Sequence, residues 1–315
     1  MTTYVARRLL QVVPTLFIAS VAVWAMVYAL PGDPVVVILG EEATPEAVIA
    51  ERARLGLDRS VPAQYLTWIG NVFQGDLGFS YFGGEPVSTR IARRVMPSVQ
   101  LGIVAFAIGI LLAIPIALGG ALAPGSFLGR LTGAQSVLSL SIPTFWVGIL
   151  LILVFGVILG VFPAVSSYVP FWESPVGAFR HTFLPGLTLG IFVSAIFGRF
   201  LRQALIEILG KDYVRTARAK GLREFVVVGR HALRNALLPF VTVAGIQLGT
   251  FIGGSVVTET VFNYPGVGRL IFTAITQRDF ALVQATTLLI IVAVILINLI
   301  VDVVYAYLDP RITYS

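Results

Sequence analysis

The chain has 315 residues, of which 57% are hydrophobic and 12% charged, and its mean hydropathy is +0.90. Soluble domains have about 45–50% apolar and about 25% charged residues, so this composition indicates a membrane protein and excludes a soluble or disordered chain. The absence of cysteine excludes thiol chemistry, and the formal charge of +6 is spread between hydrophobic runs, which indicates membrane orientation rather than nucleic-acid binding.

Six uncharged runs are long enough to cross a bilayer as helices, which takes about 20 apolar residues. We predict membrane helices over 9–30, 98–122, 135–161, 184–206, 239–257 and 282–306. A turn at 123–126 separates the second helix from the third. Prolines inside the runs are expected to kink helices rather than end them; they are Pro14, Pro115 and Pro143. The sequence therefore predicts an all-α integral membrane protein with six transmembrane helices.

The first run is preceded by Arg7 and Arg8, as a signal peptide would be, but its apolar core is too long and no small-residue cleavage site follows. A retained first helix is the better interpretation. With six spans, both termini lie on one side, and the segments of that side hold 13 of the 22 basic residues but 5 of the 16 acidic ones. Basic residues concentrate in cytoplasmic loops. We therefore predict cytoplasmic termini and a single transmembrane domain over 1–315.

Two loops are long enough for specific roles. The outer loop, 31–97, mixes eight acidic residues with six arginines and contains a helix-like stretch over 44–55, which Thr44 would cap before Pro45. We expect it to fold on the extracytoplasmic surface. The chain should leave the first helix through a turn and continue extended after Asp33.

The sequence of the inner loop, 207–238, predicts a helix, a glycine break and a second helix over 223–236. Lys211, Arg215 and Arg218 follow a helical spacing and would share one face, and Gly221 would make the break. This basic face could dock on a cytoplasmic protein or contact anionic lipid headgroups. The position of the loop alone leaves both open.

Sites for covalent chemistry are not predicted. A phosphate-binding loop needs the pattern G-x-x-x-x-G-K-[ST], and the nearest approach, 210–212, lacks the first glycine and the hydroxyl. The two histidines, His181 and His231, are predicted on opposite faces of the membrane, so they cannot share a metal. Ser255 has no histidine at its membrane depth and is interpreted as a helix-packing residue. The chain is therefore predicted not to be an enzyme.

Two polar residues of the last helix, Asn298 and Asp302, are four positions apart and would share one face. Polar groups inside a membrane often line a transport path, and a hydrogen bond between helices is the alternative. The membrane runs hold too few ionisable residues for the usual proton- or sodium-coupled carrier. The energy source is therefore expected outside this chain.

Four stretches, taken in order along the chain, resemble the first permease subunit of bacterial dipeptide, oligopeptide and nickel ABC importers. They are Ala29-Leu30-Pro31-Gly32-Asp33-Pro34, Asp212-Tyr213-Val214-Arg215-Thr216-Ala217-Arg218-Ala219-Lys220-Gly221-Leu222, Phe262-Asn263-Tyr264-Pro265-Gly266-Val267-Gly268-Arg269-Leu270, and 298–311 with its final Leu308-Asp309-Pro310-Arg311. The resemblance covers the chain almost end to end. It implies the type I importer permease fold.

The resemblance implies that the inner loop couples the permease to its ATPases. The general coupling pattern is E-A-A, three residues, Gly, nine residues and I-x-L-P; Ala217, Gly221 and Leu233 match it, whereas the glutamate and the final proline are absent. The residues to which a coupling role is carried over are Asp212, Tyr213, Arg215, Ala217, Arg218, Gly221, His231 and Arg234.

The outer segments are expected to form an external gate and a docking surface for a substrate-binding protein. The residues assigned to this role are Asp33, Glu259, Tyr264, Pro265, Gly266, Gly268, Arg269, Arg278 and Asp279. The resemblance further implies a second permease subunit, two cytoplasmic ATPases that bind ATP and Mg, and an extracytoplasmic binding protein, all at the bacterial inner membrane. This chain would bind membrane lipid but no cofactor or nucleic acid.

The predicted function is ATP-driven import of peptides by alternating access, with this chain forming half of the pathway. Dipeptides, longer peptides, glutathione and nickel complexes remain open as substrates. A self-sufficient channel or secondary transporter is the alternative function.

Overall fold

The computed structural model describes residues 2–29, 33–40 and 42–308. These ranges are almost entirely helical, and within them the one extended pairing is an isolated antiparallel bridge between Phe79 and Pro86. The helices are α1 (Thr2–Ala29), α2 (Pro34–Leu39), α3 (Pro45–Arg54), α4 (Val61–Phe73), α5 (Val87–Leu122), α6 (Phe127–Ser141), α7 (Thr144–Leu151), α8 (Pro175–Leu209), α9 (Asp212–Ala219), α10 (Glu224–Val226), α11 (Arg234–Val261), α12 (Val267–Gln277) and α13 (Phe280–Leu308). Two π-helical segments, Ile152–Ile158 and Val227–Leu233, complete them. The all-α fold class is thus confirmed.

Four described helical stretches are long and apolar enough to cross a membrane: Arg8–Met26, Val87–Leu122, Pro175–Leu209 and Phe280–Val303. They coincide with the first, second, fourth and sixth predicted spans. The fifth predicted span falls within α11, which has 28 residues. The turn predicted at 123–126 lies between α5 and α6. The helices are consistent with six spans, and the count itself stays a prediction.

The predicted third span is broken rather than kinked. α6 ends at Ser141, and Pro143 takes an extended conformation (φ −62°, ψ 140°) before α7 begins. A proline has no amide hydrogen and disfavours helical geometry at the residue before it, here Ile142. The π-helical segment Ile152–Ile158 then ends the span near the expected place.

The chain divides into two compact units. The N-terminal unit comprises Met1–Met96 and Pro265–Leu296, and the central unit comprises Pro97–Tyr264 and Ile297–Ser315. The boundary at Met96 lies inside α5. The single domain predicted over 1–315 stays a prediction.

Local capping signals shape the outer loop of the N-terminal unit. The helix predicted over 44–55 is present as α3, and Thr44 Oγ1 accepts a hydrogen bond from the Ala47 amide at 3.3 Å. The prediction that the chain stays extended after Asp33 is wrong. The Asp33 carboxylate accepts from the Val35 amide at 3.0 Å, and Pro34 suits the first position of a helix, so that α2 begins there.

Tyr65 fastens α4 to α1 within the N-terminal unit. Its hydroxyl lies 2.8 Å from Ser20 Oγ, and its ring meets those of Phe17 and Trp24 edge-on. Such pairs add packing energy beyond the area that they bury. The outer loop is therefore held to the first helix by a defined aromatic contact.

Glycines bring α5 and α8 into close contact in the central unit. A Cβ added to Gly190 would lie 2.7 Å from Ile108 Cγ2 and 3.0 Å from the Ala105 carbonyl oxygen, and one added to Gly186 would lie 2.7 Å from Val104 Cγ1. These distances are shorter than van der Waals contact. Small residues at such crossings let membrane helices pack backbone to backbone.

Candidate functional site

The coupling segment, residues 207–235, has the helix, glycine turn and helix that the sequence predicts. α9 is followed by Gly221, whose φ of +76° lies in the left-handed region. A Cβ at Gly221 would meet no atom within 4 Å, so the need for glycine comes from the backbone conformation. The second helical stretch differs from the prediction because it runs from Glu224 through the π-helical segment into α11.

A small apolar cluster holds α9 in place. Val214 and Ala217 are buried against Val227, with Ile208 and Leu209 packed beside them. Ala217, which was predicted to take part in coupling, thus lies under the helix rather than on its outer surface. Its contribution is to fix the orientation of α9.

The basic residues of the coupling segment do not form a uniform positive stripe. Each of the three predicted to share a face lies close to an acidic residue. The pairs and their N–O distances are Lys211–Glu207 at 2.9 Å, Arg215–Asp212 at 3.6 Å and Arg218–Glu224 at 2.7 Å. The hydrogen bond from Arg218 lowers the pKa of Glu224, and the one to Glu207 raises the pKa of Lys211. Local pairing reduces the attraction that lipid headgroups would exert on this face.

Apolar side chains project from the same segment. Phe225 is 88% exposed, and Tyr213 and Leu222 are exposed to 45% and 41%. Exposed aromatic residues beside charged ones are typical of protein interfaces, in which they often carry much of the binding energy. Sequence reasoning missed Phe225, although a lone phenylalanine in a charged helix start was a usable signal.

Asn235, at the start of α11, lies close to α9. Its Nδ2 donates to the His231 carbonyl oxygen at 2.7 Å and lies 3.4 Å from the Tyr213 hydroxyl. His231 belongs to the π-helical segment, and such segments frequently occur at functional positions of helices. Arg234, the first residue of α11, is exposed. Tyr213 and Asn235 thus place α9 beside the start of α11.

The predicted gate residues of the central unit are buried. Glu259 Oε1 accepts from Ser98 Oγ at 2.8 Å and from Ser255 Oγ at 3.2 Å, and the Glu259 side chain has no exposed surface. Tyr264 is also fully buried, and burial raises its pKa to about 12. Both residues organise the end of α11 from inside.

The predicted gate residues of the N-terminal unit are Asp33, Asp279 and the segment that starts α12. Asp33 forms an ion pair with Arg52. Asp279 is fully buried: Ser80 Oγ donates to its carboxylate, and Arg90 Nη1 lies 3.7 Å from it. The backbone of Arg278, just before Asp279, takes the left-handed conformation, with a φ of 58°.

The glycine-containing segment 265–268 leads directly into α12. Gly266 is extended and precedes the helix, and Gly268 is buried within the first turn, between Val267 and Arg269. Pro265 is half-buried. The assignment of these residues to a gate and docking surface stays a prediction.

Asn298 and Asp302 lie on α13, as expected. Asn298 is exposed and Asp302 is half-buried. The end of the fourth resembling stretch, 309–311, lies outside the described residues. The structure therefore neither adds to nor removes the proposed transport-path role of this pair.

Two sequence families match this chain. Residues 105–314 match the binding-protein-dependent transport system inner membrane component, and residues 1–101 match the N-terminal part of the same membrane component. The glutathione transport system permease protein GsiC of Escherichia coli (strain K12) is 42% identical over 315 residues, covering 100% of both chains. GsiC of Salmonella paratyphi A is 41% identical over the same length.

Solved structures show the same fold at lower identity. A chain of the MetNI methionine ABC transporter, in inward-facing conformations, matches with a TM-score of 0.58 and 20% identity over 70% of this chain and 96% of that one. A chain of an amino acid ABC transporter matches with a TM-score of 0.52 and 15% identity, covering 70% and 94%. The family, the fold and the full-length relatives agree with the resemblance seen in the sequence. They favour an ABC importer permease over the alternative of a self-sufficient channel or secondary transporter. The chain belongs to the family of inner membrane components of binding-protein-dependent transport systems and is the permease component of an ABC importer.

Proposed function

We propose that this permease imports small peptides, with glutathione as the first candidate. The support is the 42% identity along the whole chain to permeases named for glutathione transport. Glutathione is a tripeptide and so falls within the peptide class that the sequence motifs imply. The permease would work by alternating access and catalyse no covalent reaction.

The proposed assembly contains four kinds of partner or ligand beyond this chain. They are a second, homologous permease subunit, two cytoplasmic ATPases, the ATP and Mg that those ATPases bind, and an extracytoplasmic substrate-binding protein. The coupling segment would dock on an ATPase. The outer segments would receive the binding protein.

The observation that carries the coupling proposal is a set of exposed apolar side chains on the coupling segment, beside a helix that is packed from below. α9 is anchored below by Val214 and Ala217 and exposes Tyr213, and Phe225 is exposed on the neighbouring α10. Burial of an exposed aromatic side chain in a groove of a partner lowers the free energy, because it removes apolar surface from water. The packing of Val214 and Ala217 would keep the orientation of α9 when a partner pushes on these exposed side chains.

The force would pass from α9 to α11 through Tyr213 and Asn235. The Asn235 amide joins the coupling helix to a backbone carbonyl of the π-helical segment. ATP-driven closure of the ATPases would therefore move the start of α11. Rocking of the attached helices would then open the outward side.

The test is uptake of radiolabelled glutathione into proteoliposomes that contain the complete importer and ATP inside, with the binding protein outside. We expect uptake that needs ATP and the binding protein. Gly221→Pro should abolish it and release the ATPases on purification, because proline cannot adopt a φ of +76°. Gly210→Ala is the matched control, since Gly210 is helical at φ −83° and a Cβ there meets no atom closer than 3.5 Å.

Two results would contradict the proposal. Uptake of a different solute class, with glutathione excluded as competitor and substrate, would refute the substrate. Retention of the ATPases and of full uptake in Gly221→Pro would refute the coupling role.

A further inference from the structure

A cavity of about 970 Å³ lies within the N-terminal unit. Its walls come from α1, α2, α3, the loop 55–59, α4, the segment 76–84 and the beginning of α13. Its volume falls at the upper end of the range of pockets that hold small molecules, about 300–1,000 Å³. The predicted gate role does not account for a cavity of this size in the outer loop.

Three arginines line the cavity, and they differ in how they are paired. Arg52 is bound to Asp33, and Arg54 Nε donates to Glu51 Oε2 at 2.7 Å. Within the described part of the chain, the third, Arg59, has no ion-pair partner. Arg59 therefore offers a guanidinium for an anionic group that enters from outside.

The backbone that carries Arg59 is held in place. Gln64 Nε2 donates to the carbonyl oxygens of Arg59 at 2.8 Å and Leu57 at 3.3 Å. A guanidinium can bind a carboxylate with two parallel hydrogen bonds. The backbone of this loop therefore fixes the position from which the exposed Arg59 side chain reaches the cavity.

Aromatic rings form a second part of the lining. Trp24 and Trp68 both pack against Tyr65, with ring centroids 5.7 and 6.3 Å away. Tyr81 packs against Phe280 at 6.4 Å, and burial together with the charge of Asp279 raises the pKa of Tyr81 to about 12. Rigid aromatic walls with a few polar groups are typical of ligand pockets.

The remaining polar lining suits a peptide. Asn71 and Gln284 supply side-chain amides, which can donate to and accept from peptide groups. Asp76 supplies a carboxylate, which accepts a hydrogen bond from the Gly78 amide at 2.9 Å and can also pair with an ammonium group. Opposite charges, amides and aromatic rings occur together in one cavity.

We propose that this cavity is a binding site for a small peptide with a free carboxylate, which Arg59 holds. Asp76 takes the amino group, and the tryptophans contact the side chains. The choice of a peptide rests on the proposed function. The site would give the permease its own solute recognition, separate from that of the binding protein.

The experiment measures binding of radiolabelled trialanine to the purified full-length chain in lipid nanodiscs without the binding protein. Unlabelled glutathione, trialanine and trialanine C-terminal amide are the competitors. Arg59→Gln is compared with Arg93→Gln, because Arg93 belongs to the same unit, pairs with Glu85 at 2.9 Å and does not line the cavity. Thermal unfolding of both variants shows whether each is folded.

We expect saturable binding that Arg59→Gln weakens by about tenfold to hundredfold, the usual range for loss of a charged hydrogen bond. Arg93→Gln should bind as wild type does. The C-terminal amide should compete about as poorly with wild-type protein as trialanine does with Arg59→Gln.

Absence of saturable binding, or equal binding by Arg59→Gln and wild type, would overturn the proposal. So would equal competition by trialanine and its amide. If ATP-dependent glutathione uptake persists in these cases, the cavity proposal fails and the proposed function stands. If the cavity binds the peptide but the complete importer takes up no peptide, the cavity proposal stands and the proposed function fails.

Discussion

Arg90 in the N-terminal unit and Arg218 in the coupling segment both lie beside a carboxylate, but in different surroundings. Arg90 shares Ser80 with the fully buried Asp279. Arg218 and Glu224 form their pair in the open, with side chains 42% and 55% exposed. Removing the cation beside a buried carboxylate is strongly destabilising, whereas an exposed pair contributes little to stability and mainly affects what the surface presents to a partner.

The largest effect should come from removing the cation beside the buried Asp279. Arg90→Leu leaves the Asp279 carboxylate buried without its cation, which should lower the free energy of unfolding by about 3–5 kcal/mol. Arg93→Leu, one helical turn away, removes an exposed partner of Glu85 and should cost at most about 1 kcal/mol. Unfolding of both variants in detergent checks the difference, and equal stability would show that Asp279 needs no cation.

A smaller effect on binding, with none on folding, is expected at the coupling segment. Phe225 is almost fully exposed, so Phe225→Ala should leave thermal stability unchanged. It should weaken ATPase binding by about thirtyfold, the equivalent of about 2 kcal/mol for an interface hot spot. Ile49→Ala, at an exposed position of α3, is the control. Unchanged ATPase affinity in Phe225→Ala would remove this residue from the interface.

The smallest effect concerns the exposed pair itself. Because Arg218 lowers the pKa of Glu224 below its ordinary value of 4.5, the pair is intact above that pH and is lost as the pH falls through the lowered value. Amide exchange in 212–226, corrected for its intrinsic pH dependence, should therefore show slightly less protection at acid pH. Glu224→Gln should abolish this change, and about 1 M salt should reduce it by screening. A pH response that survives in Glu224→Gln would assign it to another group.

Local signals predicted much of this fold. The long apolar runs gave α1, α5, α8 and α13, and the capping pattern at Thr44 gave α3, because both features act within a few residues. The break at Pro143 was missed, since an apolar run looks alike whether it is kinked or divided. The helix after Asp33 was missed because a polar residue before proline also fits a turn.

The candidate sites divide in the same way. The helix and glycine turn around Gly221 follow from spacing and backbone chemistry, which are visible in the sequence. The burial of Asp279 and Glu259 depends on segments far away along the chain, Ser80 and Ser98, and no pattern near either acid reports it. The cavity beside Arg59 likewise exists only when α1, α3, α4 and α13 meet.

The glycine contacts between α5 and α8 have a consequence for how the sequence can vary during evolution. At Gly186 the obstacle to a larger residue is the Val104 side chain, with the nearest backbone atom 3.6 Å away. At Gly190 a Cβ would also lie 3.0 Å from the Ala105 carbonyl oxygen. This oxygen belongs to the main chain, so no substitution at residue 105 removes it. Relatives should therefore exchange residues 186 and 104 together, as a pair that conserves total volume, while glycine at 190 is inherited unchanged.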